Sequence, residues 1–105
     1  MDKVINLSST DFLNKISTDS LAVIIDVRTP EEFYAGHIPN SILIDIYHPN
    51  FQNRIKELDK SKNYYIYCRS GHRSYHAGNF MLQMGFEKVH HLQEGILSWN
   101  EVLEK

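Results

Sequence analysis

The sequence has a single cysteine, Cys68, in 105 residues, with only five glycines and three prolines. One thiol excludes an intramolecular disulfide and a zinc site built on paired cysteines. It fits a reducing compartment. There is no excess of charge of one sign: Lys and Arg number 11 against 13 Asp and Glu, a net charge of −2. That balance argues against a nucleic-acid partner, which would select a basic surface. There is no long apolar run either. The longest, Leu21 to Ile25, falls far short of the ~20 residues of a membrane-spanning helix. Met1 to Thr10 carries one lysine and no apolar stretch of the secretory kind. The expectation is a cytoplasmic protein with no membrane partner. No repeat, low-complexity tract or Pro/Gly/Ser linker divides the chain, so residues 1–105 read as one domain. What remains is an ordinary globular composition, 42% hydrophobic and 23% charged.

Short strand-like runs alternate with helix-like segments. Val4 to Leu7 reads as a first strand. Ser8, Ser9 and Thr10 offer caps for a helix with Phe12, Leu13 and Ile16 on one side. Ala22 to Val27 is apolar on both faces apart from Asp26, as suits a strand covered on both sides. Thr29-Pro30-Glu31-Glu32 is a helix start: Thr29 caps, Pro30 stands first, and Glu32 completes a capping box. Gly36 and Pro39 keep that helix short. Ser41 to Ile46 reads as a strand, Phe51 to Leu58 as a helix, and Asn63 to Tyr67 as a strand that runs into Cys68. Ser74 to Met84 reads as a helix ended by Gly85. Lys88 to Leu92 is a last strand. Ile96, Leu97, Trp99, Val102 and Leu103 suggest a terminal helix. The alternation implies an α/β fold with a central, mainly parallel sheet of about five short strands and helices on both faces.

The chemistry concentrates in Cys68-Arg69-Ser70-Gly71-His72-Arg73-Ser74. This segment lies between a strand and a helix, at the strand edge where open α/β sheets bind ligands. Its backbone N–H groups and the following helix N-terminus would form an anion cradle above the sulfur. Arg69 and Arg73 add positive charge, and His72 and His76 can add more. The same field favours a thiolate, the nucleophilic form of cysteine. A buried structural cysteine, the ordinary fate of a lone Cys, has no need of these neighbours.

These residues resemble the active loop of the rhodanese-like, or thiosulfate sulfurtransferase-like, domains. Cys68 to Ser74 is similar to that family's C-R-x-G-x-R-S pattern. Asp26-Val27-Arg28, Glu31-Glu32-Phe33 and Gly36-His37-Ile38-Pro39 resemble its N-terminal signature, and Leu92 to Trp99 its C-terminal motif. Glu94 stands where the family usually has the first of two glycines. The resemblance implies the rhodanese-like three-layer fold. It implies sulfane-sulfur transfer from thiosulfate or a persulfide donor to a thiol or cyanide, through a Cys68 persulfide and no separate cofactor. A protein donor or acceptor would also serve. Arg69, Ser70, Gly71, His72, Arg73 and Ser74 would line the site, with Arg69 at its mouth and Arg73 both shaping the cradle and facing the anion.

Two alternatives stand beside this reading. A cysteine phosphatase or arsenate reductase-like enzyme would resemble a loop with five residues between Cys and Arg, and here Cys68 and Arg73 have four between them. A sulfur-carrier or regulatory binding module would keep the fold without turnover. Asp26 and Arg28 read as supporting residues, through pocket electrostatics for Asp26 and through an ion pair of Arg28 with Glu31 or Glu32. His90 and His91 are adjacent, so on a strand they face opposite sides and cannot share a metal. His72 is placed in the loop, and no metal site is expected. Tyr64, Tyr65, Tyr67 and Trp99 read as packing residues.

Overall fold

The computed structural model describes residues 3–105. Five parallel strands form one sheet in the order β1-β5-β4-β2-β3: β1 (Ile5–Leu7), β2 (Ala22–Asp26), β3 (Ile42–Leu43), β4 (Asn63–Tyr67) and β5 (Val89–Leu92). Four helices connect them: α1 (Ser9–Thr18), α2 (Pro30–Ala35), α3 (Phe51–Lys56) and α4 (His72–Gln83). Parallel neighbours need crossover connections, and the helices supply them.

The two-residue alternation of β4 divides the core. Tyr64, Ile66 and then Cys68 face the side packed by Phe51 and Ile55 of α3 and by Ala77 and Met81 of α4. Tyr65 and Tyr67 face the other side, with Phe12 of α1 and Trp99. Phe12 meets Tyr65 and Trp99 edge-on, each at 5.8 Å between ring centres. Helices thus cover both faces, and the sheet is the middle of three layers. The tyrosines pack as expected, and each buried hydroxyl finds a partner: Tyr64 donates to the Asp59 carbonyl, Tyr65 to Asp19, and Tyr67 accepts from the Ile38 N–H.

Three expectations are corrected. The strand read over Ser41 to Ile46 is only two residues long: past Leu43 the amides of Ile44 and Ile46 still bond the Asp26 and Val27 carbonyls, but the chain advances two residues against one, so the regular register ends there. The helix expected from Ser74 begins at His72, so His72 is helical. Gly71, at φ 97°, makes the turn that L side chains resist. The terminal helix is a single 3-10 turn, Ile96–Ser98. Beyond it the chain is extended and pairs with His37 through two backbone bonds between His37 and Glu104, both 2.8 Å. Trp99 is the anchor in either conformation, and Val102, which a helix would have buried, is 80% exposed.

Candidate active site

Cys68 follows β4 at the carboxyl edge of the sheet and is completely buried. Its side chain continues the even-numbered face of the strand, which points it beneath the start of α4. Two backbone N–H groups donate to its sulfur, from Gly71 at 3.1 Å and Ser74 at 3.4 Å. No side chain caps α4. The sulfur takes that place, receiving N–H groups that a helix N-terminus otherwise leaves orphaned. A thiolate there meets oriented dipoles of the right sign.

The turn after β5 holds the loop against the sheet. The N–H groups of Ile96 and Leu97 donate to the carbonyls of Cys68 and Arg69 at 2.9 and 3.3 Å. Gly71 and Gly95 allow the approach: a Cβ on Gly71 would stand 1.9 Å from the Gln93 carbonyl oxygen, and one on Gly95 2.1 Å from that of Arg69. Glu94 is exposed and has a negative φ, so its side chain fits the turn without strain.

The arginines are placed differently. Arg69 is exposed, with no side-chain hydrogen bond among the described residues. Arg73, expected to face the anion, instead turns its fork onto Glu32 of α2, with bonds of 2.8 and 3.0 Å. The reason is local supply: the capping box fixes Glu32 at the start of α2, and a planar guanidinium matches a carboxylate with two parallel bonds. The Arg73 bond and charge, opposed by burial, hold the Glu32 carboxyl at about 2. Ser70 is exposed, His72 lies edge-on to His76 at 4.7 Å, and Ser74 is buried beside the sulfur.

Asp26 and Arg28 form a buried pair, with Arg28 Nη2 2.7 Å from Asp26 Oδ2. Arg28 therefore bonds Asp26, not Glu31 or Glu32. Residues two apart leave a strand on one face, which brings the pair together. Arg28 also donates to the Gly36 carbonyl at 2.7 Å, and its guanidinium lies 5.5 Å from the Tyr67 ring centre. Burial pulls the Arg28 pKa down, but Asp26 outweighs it and holds it above its ordinary value. Both partners brace the turn after β2.

Two further contacts went unread in the sequence. The Ser74 hydroxyl lies 2.9 Å from His91 Nδ1, and His91 Nε2 lies 2.7 Å from Asn6 Oδ1. His90, on the opposite face as expected, stacks on Tyr65 and bonds the Tyr64 carbonyl. Burial pushes both imidazoles below their ordinary value. Among the described residues no group of three His, Cys, Asp or Glu converges as a metal site would require, and no helix is long and apolar enough to cross a membrane.

Residues 8–102 match the rhodanese-like domain family. A sulfurtransferase of Allochromatium vinosum is 33% identical over 96 residues, covering 83% of this chain and 88% of that protein. A Bacillus subtilis protein, provisionally named a sulfur carrier, is 34% identical over 93 residues, and the match spans 49% of its length. The crystal structure of a rhodanese-like domain protein from Staphylococcus aureus superposes with a TM-score of 0.84 at 29% identity, covering 96% of this chain and 97% of that one. The chain belongs to the rhodanese-like family.

Proposed function

We propose that this rhodanese-like protein is a sulfurtransferase that carries sulfane sulfur on Cys68. The observation that carries the reading is the sulfur's position as the cap of α4, with the Gly71 and Ser74 N–H groups aimed at it. Its relatives, named as a sulfurtransferase and a sulfur carrier, support the same class.

The reaction has two halves. The Cys68 thiolate attacks the outer sulfur of thiosulfate or a persulfide. The donor's S–S bond breaks, and sulfite or a thiolate leaves with the electron pair. Cyanide or a thiolate acceptor then attacks the terminal sulfur of the Cys68 persulfide. Thiocyanate or a new persulfide departs, and the Cys68 thiolate returns. This is covalent, ping-pong catalysis. Negative charge sits on sulfur in each resting form, so fixed N–H donors serve the thiolate and the persulfide alike. The sulfur is covered, so a donor must displace part of that cover to reach it. The loop presents Arg69 at the surface, where its charge draws an anionic donor. Arg73 braces the loop from α2 and leaves Arg69 as the arginine for that role.

Intact-mass spectrometry tests the reading. Thiosulfate should add one sulfur atom, cyanide should remove it, and Cys68→Ser should show neither step. A folded Cys68→Ser protein that keeps most of the thiosulfate:cyanide transfer would overturn the assignment. So would arylphosphate hydrolysis that rivals sulfur transfer and is lost on the same substitution.

A further inference from the structure

From Cys68 a chain of hydrogen-bonding groups runs to Asn6 at the surface. Cys68 Sγ is 3.6 Å from Ser74 Oγ, which is 2.9 Å from His91 Nδ1. His91 Nε2 is 2.7 Å from Asn6 Oδ1. Cys68, Ser74 and His91 are buried, and Asn6 is exposed.

The direction of each bond follows from the far end. An amide oxygen only accepts, so His91 Nε2 carries a proton and donates it to Asn6. In the neutral ring Nδ1 is then an acceptor. The Ser74 hydroxyl has one proton and two acceptors in reach, Nδ1 at 2.9 Å and the Gly71 carbonyl at 3.2 Å; it donates to the nearer, Nδ1, which leaves its oxygen to accept from the Cys68 thiol. Every member is satisfied while Cys68 is a thiol. Now remove the thiol proton alone. The thiolate keeps the Gly71 and Ser74 N–H donors, but the Ser74 hydroxyl, still donating to His91, turns a lone pair towards it. Two acceptors then face each other inside a buried site, an arrangement that is costly.

A single change restores the match. The thiol proton passes to Ser74 Oγ as the Ser74 proton passes to His91 Nδ1. His91 then donates to Ser74, Ser74 donates to the thiolate, and Nε2 still donates to Asn6. No proton enters or leaves the buried group, and the charges become a thiolate and an imidazolium. We propose that His91 is a positioning residue for the Cys68 nucleophile: acting through Ser74, and oriented by Asn6, it takes up the thiol proton as the thiolate forms.

The surroundings favour this coupling over independent titration of the ring. Ser74 and the Tyr75 ring, at 5.8 Å, face His91 from α4, and Asn6 faces it from β1. Cys68 faces it through Ser74 from the end of β4. No carboxylate pairs with it among the described residues. Burial alone pushes the His91 pKa down, which opposes an isolated imidazolium. The thiolate is the one anion this chain of bonds supplies, so the ring gains its proton only when the sulfur loses one.

The proposal refines the sulfur-transfer reading, but it concerns the thiol and can be tested without a sulfur donor. His91→Gln keeps an oxygen to accept from Ser74 and cannot take up a proton. Its iodoacetamide alkylation at pH 7 should fall about tenfold, with the rate–pH curve moved about one unit upward, since one unit is tenfold in thiolate below the midpoint. Asn6→Ala should move the curve the same way by less. Nitrogen chemical shifts of His91 give a readout on the unaltered protein, which covers the case of a variant that does not fold. At pH 7 His91 should carry both ring protons beside the thiolate, and in Cys68→Ala at the same pH it should be neutral. An alkylation curve for folded His91→Gln that overlays the wild type would overturn the proposal. So would a wild-type ring that is neutral at pH 7. Thiosulfate labelling separates the two ideas. Labelling with an unmoved curve removes the relay alone, and a moved curve without labelling removes sulfur transfer alone.

Discussion

The chain turns from strand to helix twice along one stretch of the sheet edge, after β2 and after β4, and Asp26 and Tyr67 are partners in the same register. The first turn closes on itself. The Thr29 side chain accepts from the Glu32 N–H at 3.3 Å, Glu32 accepts from the Thr29 N–H at 3.2 Å, and Asp26 holds Arg28. Asp26, Arg28, Thr29 and Glu32 are all matched with protein partners there. The second turn has Gly71 at the cap position and no side-chain cap, and its N–H groups point at sulfur. Two turns with the same topology therefore differ in who satisfies the helix N-terminus. Where a side chain does so, the turn is scaffold. Where a cysteine does so, the turn can hold a reactive anion. The Arg73–Glu32 fork ties one to the other, so the closed turn steadies the open one.

The largest effect should come from forcing a side chain into the open turn. Gly71→Ala puts a Cβ 1.9 Å from a backbone carbonyl oxygen, at a φ of 97°. The loop must then leave the end of β5, at a cost of at least about 2 kcal/mol. Urea denaturation should show the loss, and thiol alkylation should slow with it. Wild-type stability in Gly71→Ala would mean that the loop is not held as tightly as these contacts imply.

The two arginines should separate next. Arg69→Ala should raise KM for thiosulfate and spare kcat, the mark of lost ground-state attraction. Lys should restore most of it, since a point charge can steer an anion. Arg73→Ala should lower kcat and stability together, and Lys should rescue it poorly because the bond to Glu32 is a two-pronged fork. Steady-state kinetics at fixed ionic strength decides the matter. Equal KM effects with unchanged kcat in both Ala variants would collapse the division into general attraction.

The contrast between the turns also explains what was legible in the sequence. The closed turn was readable because Thr29, Pro30 and Glu32 lie within four positions and act on one another. β4 and Cys68 were readable from an apolar run that meets a charged loop. The partner of Arg28 was open to the two-residue rule, which puts Asp26 on its face of the strand. The Arg73–Glu32 fork joins residues 41 apart, and His91 meets Asn6 85 positions away. Local patterns carry no trace of either. The terminal segment failed for the same reason. Its apolar spacing suits a helix, and its pairing with His37 is tertiary.

A smaller effect should follow from opening the closed turn. Thr29→Ala removes the cap of α2 and should cost about 1 kcal/mol. Sulfur transfer should continue at the wild-type rate, because the N–H groups at Cys68 are untouched. A stability loss with intact transfer would sharpen the distinction between the turns. A loss of transfer equal to that of Arg73→Ala would show that the cap reaches the sulfur through Glu32.

The smallest effect is the pH dependence of the tie between the turns. The Glu32 carboxyl is held at about 2, below its ordinary 4.5, chiefly by its bond to Arg73. A carboxyl whose folded value is depressed binds fewer protons in the folded state. Its contribution is therefore complete above 4.5 and is lost as pH falls from there towards 2. The partial exposure of the pair screens the interaction and keeps the contribution modest. His90 acts in an earlier window, because burial lowers it: it begins to cost stability as pH falls below the ordinary 6.5. Urea midpoints of the wild type and Glu32→Gln, measured from pH 7 downward, separate the two sources. Between pH 7 and 5 the curves should descend in parallel, since both proteins carry His90. Below about pH 4.5 the wild type should fall faster and close the gap, because the charge that distinguishes it is being neutralised. A gap that stays constant down to pH 3 would mean that the fork contributes through shape and packing, and that the two turns are joined by contact instead of charge.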